Sequence, residues 1–159
     1  MLNWYCKTFH ELTTTELYAI IKARQDVFVI EQQCIYPDLD GLDKECLHLF
    51  ALASKEHSQA NDDDDTIAAY LRILPPGLHY PQVAFGRVLT TSSARGHGAG
   101  KQLVNKALDK IRAQYPSQDI KISAQLYLQD FYQSFGFKKT SDVYDEDGID
   151  HIEMLIQAQ

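Results

Sequence analysis

The chain has 159 residues, a length suited to one domain and to burying roughly two-thirds of the unfolded surface, so neither metal nor disulfide is needed for folding. Its residues are 45% hydrophobic, 23% charged and 11% aromatic, as in an ordinary globular protein. A formal net charge of −7 argues against nucleic acid or an anionic membrane as the main partner, but leaves room for a local basic pocket.

Cys6, Cys34 and Cys46 are odd in number and form no C-x-x-C pair, which reads as reduced structural thiols of a cytosolic protein. The start, "MLNWYCKTFHELTTTEL", carries neither a basic nor an apolar leader region, and no apolar run approaches the roughly 20 residues of a membrane span. A soluble, cytoplasmic protein is expected.

"LNWYCKTF" alternates and predicts a first strand. "TTTELYAIIKARQDVFVIEQQ" predicts one helix, opened by a capping box of Thr13 and Glu16, with Leu17, Ile20, Ile21, Val27 and Phe28 on its apolar face. Arg24 and Glu31 fall on the same stripe. A buried unpaired charge is costly, so they are expected to be paired or to face a polar cleft. "CIYPDLDGLDKEC" reads as a loop, and "LHLFALAS" and "TIAAYLRIL" as paired strands. The acidic connection "KEHSQANDDDD" lacks the oxygen spacing and glycine of a calcium loop and reads as a solvated hairpin tip.

"QVAFGRVLTT" has apolar residues on both faces, as in a central strand, and Gly86 within it marks a bulge or a close ligand approach. "GKQLVNKALDKIRAQY" predicts a helix burying Leu103, Val104, Ala107, Leu108 and Ile111, with Pro116 after its end. "DIKISA" is a strand and "YLQDFYQSF" a short helix capped beyond its end by Gly136. "FKKTSDVY" and "HIEMLIQ" close the chain as strands around the turn "DEDG"; the last, read as an edge, is where two subunits would pair as a homodimer. The order is β-α-β-β-β-α-β-α-β-β in a mixed α/β sheet with no internal repeat.

Between the central strand and the long helix lies "SSARGHGAGK". Helix N-termini present unpaired N–H groups and partial positive charge, and glycines let the backbone approach an anion closely. The P-loop pattern fails, because Arg95 stands at its first glycine and Gln102 at its Ser/Thr position. The dinucleotide pattern G-x-G-x-x-G fails as well, its third glycine being Lys101 or Leu103. R-x-x-G-x-G, from Arg95 to Gly100, fits.

That pattern after a strand and before a helix resembles the acetyl-coenzyme A loop of the GNAT superfamily of N-acyltransferases. "YLQDFYQSFGF" matches the family's F-Y-x-x-x-G-F signature. "RQDVFVIEQQCIYPDLDGLD", "GRVLTTSSARGHGAGKQL", "AQLYLQDFYQSFGF" and "YDEDGIDHIEM" together look like its ElaA branch. The acidic connection at residues 55–65 is longer than that branch would have.

The resemblance implies a single GNAT-type domain over residues 1–159, with a mixed, mostly antiparallel twisted sheet flanked by helices. It implies acetyl (or short acyl) transfer from acetyl-coenzyme A to an amine of unknown identity, a small molecule or a peptide. The amides from Arg95 through Gly96, His97, Gly98, Ala99 and Gly100 to Lys101 would wrap the pyrophosphate, Arg95 or Lys101 adding charge. Val88, Leu89 and Thr90 would bond the pantetheine arm and acyl carbonyl, with Gln129 also on the cofactor side. A backbone N–H aimed at that carbonyl would stabilise the developing oxyanion.

Tyr132 matches the family's general acid; a phenol, with pKa near 10, suits protonation of a departing thiolate. The apolar spacing Tyr127, Phe131, Phe135 leaves Tyr132 one step off, so its hydroxyl is expected to face the cleft. Candidate bases for the amine are Glu31, His48 and His151, with solvent as the alternative. Arg24, Phe28, His48 and Arg87 are assigned to the acceptor side. No spacing such as H-x-x-x-H appears, and no metal is expected. Two other readings stand beside this one. Arg24 and Phe28 followed by Asp40 and Asp43 resemble the amino half of acyl-homoserine-lactone synthases. A coenzyme A-binding sensor without turnover is the other.

Overall fold

The computed structural model describes residues 1–53 and 66–159, so the acidic connection of the sequence reading lies outside the described residues. In chain order come β1 (Leu2–Thr8), α1 (Thr14–Arg24), β2 (Leu47–Ala53), β3 (Ile67–Leu74) and β4 (Val83–Thr90). They are followed by α2 (Ala99–Gln114), β5 (Ile120–Gln125), α3 (Gln129–Gln133), β6 (Lys138–Lys139), β7 (Tyr144–Glu146) and β8 (Ile149–Ile156). The strands form one sheet in the order β1-β2-β3-β4-β5-β8-β6, with β7 also on β8. Every pairing is antiparallel except β4 with β5.

Both faces of the sheet are covered, which is why all eight residues of β3 are buried. On one face α2 lays down the expected stripe of Leu103, Val104, Ala107, Leu108 and Ile111 against Leu49, Leu71, Ile73 and Phe85. Each of the buried Leu, Val, Ile and Phe side chains contributes roughly 2 kcal/mol. On the other face Ile20, Ala23, Val27 and Phe28 pack on Phe50, Ile67, Tyr70 and Leu89.

The capping box of Thr13 and Glu16 is present, each backbone amide meeting the other's side chain. The expected single helix, however, widens after Arg24 into a π-helix over Gln25–Glu31. Gln32 N donates to Val27 O at 3.1 Å, five residues back. Ala23 and Arg24, ahead of the widening, are buried, whereas the extra residues per turn within it rotate Glu31 off the stripe into solvent.

Beyond α3 the chain departs from two uninterrupted closing strands. Ser141 Oγ takes the Glu153 amide at 2.8 Å, and "FKKTSDVY" breaks into β6 and β7. The final turn is tighter than "DEDG". Asp147 (φ 53°) and Gly148 (φ 83°) alone turn the hairpin, both left-handed as a type I′ turn requires. Nor is β8 an edge. It pairs with β5 from Ile120–Ile156 to Gln125–His151 on one side and with β6 and β7 on the other, so it has no free edge for another subunit.

Candidate active site

The β4–β5 pair holds only at Val83–Ile120 and Ala84–Lys121. Past that point the strands splay. The cause lies across β4 in its pairing with β3: Tyr70 faces Leu89 and Arg72 faces Gly86, so β4 carries one extra residue. The expected bulge is therefore present, but the left-handed residue is Arg87 (φ 53°) rather than Gly86. From Phe85 onward the β5-facing edge of β4 has no strand partner among the described residues, and a cavity of about 340 Å³ opens in the fork.

The glycine loop sits at the far end of β4. Gly96 (φ 85°) and Gly98 (φ 77°) are left-handed, and Gly98 is the N-cap of α2 with no side chain to occupy the helix start. The first intrahelical bond is Gln102 N to Gly98 O at 3.1 Å. Among the described residues the Ala99, Gly100 and Lys101 amides thus have no hydrogen-bond acceptor. A Cβ on Gly100 would lie 3.8 Å from both Phe131 Cζ and Thr90 Cγ2, so the loop, the end of β4 and α3 converge here.

Arg95 folds back. Its Nε and Nη2 donate to Thr90 O at 3.1 and 2.8 Å, and Nη2 also meets Glu31 Oε2 at 2.7 Å. Its charge is therefore shared with Glu31, whereas exposed Lys101, in the first turn of α2, has no ion pair among the described residues. His97 is exposed and Ala99 buried. Val88 lines the cavity, while Leu89 is buried in the α1-side core. Gln129 opens α3, half-buried and outside the cavity wall.

Tyr132 lines the cavity, yet reverses the expected exposure pattern. It is only 4% exposed, while Tyr127 is 74% exposed and Phe131 and Phe135 are half-buried. The reason is that α3 is five residues long and docks by Tyr132 against Phe85 (6.3 Å between ring centres) and Phe137 (6.0 Å). Burial, with Tyr127 adding to it, pushes the Tyr132 phenol well above its ordinary value and keeps its proton on. No hydrogen bond among the described residues engages that hydroxyl.

Two residues expected on the acceptor side lie elsewhere. Arg24 is 1% exposed and sits in an ion network, donating to Asp38 Oδ2 (2.9 Å), Asp38 O (2.9 Å) and Asp43 Oδ1 (2.7 Å). His48, also 1% exposed, has both ring nitrogens occupied. Nε2 donates to Asp43 O and Nδ1 accepts from Tyr70 Oη, each at 2.8 Å. Burial lowers the His48 pKa. With no nitrogen left, it is a structural group rather than a base. Glu31 is likewise removed, on the outer surface with Arg95. Phe28, Arg87 and His151 do line the cavity.

The network continues into the wall. Arg72, buried mid-strand in β3, binds Asp40 through both oxygens (Nη1 2.8 Å, Nη2 2.5 Å) and Asp43 Oδ1 at 2.9 Å. Arg87 reaches Asp38 O at 3.0 Å; its Nε is 2.8 Å from Asp38 Oδ1, an ion-pair distance without hydrogen-bond alignment. Burial alone would raise the Asp40 and Asp43 carboxyls, but the arginines overcome it and hold both below the usual carboxylate range. Three arginines and three aspartates cancel. The constellation of Arg24, Asp40 and Asp43 that resembles the lactone synthases is thus a load of buried charge balanced internally.

Sequence reading missed Asp38, Arg72 and Glu146. One signal was present for two of them: a charge inside the apolar strand "IAAYLRIL" needs partners, and "DLDGLD" supplies three. Among the described residues no group of three or more His, Cys, Asp or Glu side chains could hold a metal, and no helix is long and apolar enough to cross a membrane.

A helix start bared by glycines beside a forked strand pair is the frame of an acyltransferase. The family model described as "Acetyltransferase (GNAT) domain" matches residues 38–158, and the chain belongs to that family. It is 38% identical to Protein ElaA of Escherichia coli, over 99% of this chain and all of that one, and the crystal structure of ElaA superposes with a TM-score of 0.86. The crystal structure of an acyl-CoA N-acyltransferase from Pseudomonas aeruginosa is 41% identical, with a TM-score of 0.87 over 98% of this chain and 99% of that one. UPF0039 protein sll0451 of Synechocystis is 40% identical over 99% of this chain and 96% of its own length.

Proposed function

We propose that the protein transfers an acetyl or short acyl group from acyl-coenzyme A to an amine. One observation carries the reading: the unpaired Ala99, Gly100 and Lys101 amides open onto the end of β4, where the strand edge is unpaired and Tyr132 forms the wall.

The amides at the start of α2 offer hydrogen bonds and partial positive charge to the diphosphate, and Lys101 adds its ammonium. The free edge of β4 between Val88 and Thr90 takes the pantetheine arm as an added strand would. A backbone N–H of that edge supports the negative charge that develops on the acyl oxygen as the amine attacks. The C–N bond forms, the C–S bond breaks, and Tyr132 donates its phenolic proton to the departing sulfur. Burial keeps the phenol protonated, so the group is in its donor form when the sulfur departs.

The test is calorimetric titration with acetyl-coenzyme A together with thiol release in the presence of a panel of primary amines. Micromolar binding and turnover are expected, with Tyr132→Phe lowering kcat about 10²-fold and leaving binding intact. Tight binding with no turnover on any amine, unchanged by Tyr132→Phe, would instead mark a sensor.

A further inference from the structure

The β7–β8 hairpin supplies another part of the cavity wall, where His151 lies 9% exposed. Its Nδ1 is 2.7 Å from Ile149 O. A carbonyl only accepts, so Nδ1 carries the proton and the neutral ring keeps its lone pair on Nε2. Nε2 in turn stands 3.2 Å from Glu146 Oε2. A lone pair and a carboxylate are both acceptors and repel at that distance. The contact becomes favourable once Nε2 takes a proton, which makes it an ion pair.

Resting on the acyltransferase reading above, we propose that His151 Nε2 is the general base that deprotonates the acceptor ammonium, with Glu146 and the Ile149 carbonyl as its positioning partners. The surroundings are built for this. From β7, Tyr144 stacks on the imidazole (ring centres 6.1 Å apart, 27° between planes). From β5, uncharged Gln125 lies opposite His151 in register, and Ser123 Oγ reaches Glu146 Oε2 at 3.4 Å while also hydrogen-bonding Tyr144 Oη. Asp147, in the turn, also lines the cavity, and its carbonyl takes the Cys34 thiol at 3.0 Å. Along β8 the neighbouring charges are Asp150 and Glu153, the latter paired with Lys121 at 3.1 Å. The cation in this set, Lys121, is held by Glu153. Of the charged side chains lining the cavity, Arg72 and Arg87 are outnumbered by Asp40, Glu146 and Asp147, a negative balance suited to an ammonium.

The protons balance. The ammonium loses one to Nε2 and becomes the nucleophile. After the C–N bond forms, its second proton offsets the one Tyr132 gives the thiolate. The products are amide, thiol and one proton, which His151 returns to solvent.

The test has two arms, both on the full chain. Long-range ¹H–¹⁵N spectra of ¹⁵N-histidine protein, assigned against His151→Gln, should show deprotonated His151 with its proton on Nδ1. Thiol release from acetyl-coenzyme A with benzylamine, tyramine and lysine methyl ester should rise with pH along one limb. Glu146→Gln, at a half-exposed position, should cut kcat about tenfold with KM for acetyl-coenzyme A unchanged. His151→Gln should lower kcat about 10²-fold and remove the limb while melting as the parent does. The Nε2–H tautomer, or a limb surviving in His151→Gln, would overturn the base assignment alone. Absence of wild-type turnover would overturn the transferase reading beneath it.

Discussion

Asp43→Asn is the sharpest perturbation of the cavity wall. Asp43 Oδ1 receives Arg24 Nη1 at 2.7 Å and Arg72 Nη1 at 2.9 Å, and the two arginine side chains are 1% and 5% exposed. The amide keeps the shape but removes the charge shared by both guanidiniums. Asp38 and Asp40 are left to balance three arginines, two of them out of water. Breaking a buried ion pair on one side costs about 3–5 kcal/mol, because the stranded charge is still desolvated. At roughly 2–4 °C per kcal/mol for a chain of this size, Tm should fall by about 10 °C. Calorimetry and urea unfolding would measure it, with Asp26→Asn as the internal control. The Lys22–Asp26 pair is exposed (side chains 66% and 42%), and its loss should barely move Tm. A drop after Asp43→Asn no larger than the control's would refute the reasoning, since the network would then behave as solvated charges.

Other consequences are accessible to the same instruments. Asp40, Asp43 and Glu16 are all held below the ordinary carboxylate value; for Glu16, Lys7 and the Thr13 amide overcome a burial effect that alone would raise it. A depressed folded pKa adds stability that is complete above the unfolded value near 4 and is lost as pH falls through the folded one. The urea midpoint should therefore hold from pH 5 upward and collapse below pH 4, with a shallower fall in Asp43→Asn. Gly98→Glu should abolish acetyl-coenzyme A binding in titration calorimetry, by putting negative charge and a side chain at the helix start; retained affinity would refute the cradle. Gly98→Ala should cost about 1–2 kcal/mol through its φ of 77°. At the bulge, Arg87→Gly and Arg87→Ala lose the same ion pairs, but only glycine relaxes a φ of 53°, so the glycine variant should be the more stable by about 1 kcal/mol in urea.

Legibility in the chain followed the range of the forces involved. The stripe of α2 from Leu103 to Ile111, the Thr13–Glu16 box, the glycine-opened start of α2 and the Gly136 cap all come from neighbours within a few residues, where spacing and backbone preference are visible in the string itself. Pattern also carried the strand sequence and the family. Errors began where one element's state depends on another far along the chain. Arg24 looked like a cleft residue because Asp38 and Asp43 reach it only after the loop folds back. Tyr132 was expected at the cleft and lines the cavity, but its near-complete burial depends on Phe85, nearly fifty residues earlier. His48 looked available until Tyr70 and Asp43 took both nitrogens, and β8 looked like an edge until β6 and β7 closed over it.

Local periodicity and turn chemistry, then, determine by themselves that this chain makes a glycine-capped helix after a bulged central strand. Where β4 and β5 part, which histidine meets the resulting cavity, and how its charges are balanced are decided by residues dozens of positions apart. Coulomb attraction and close packing act on separation in space, and only the folded chain sets that separation.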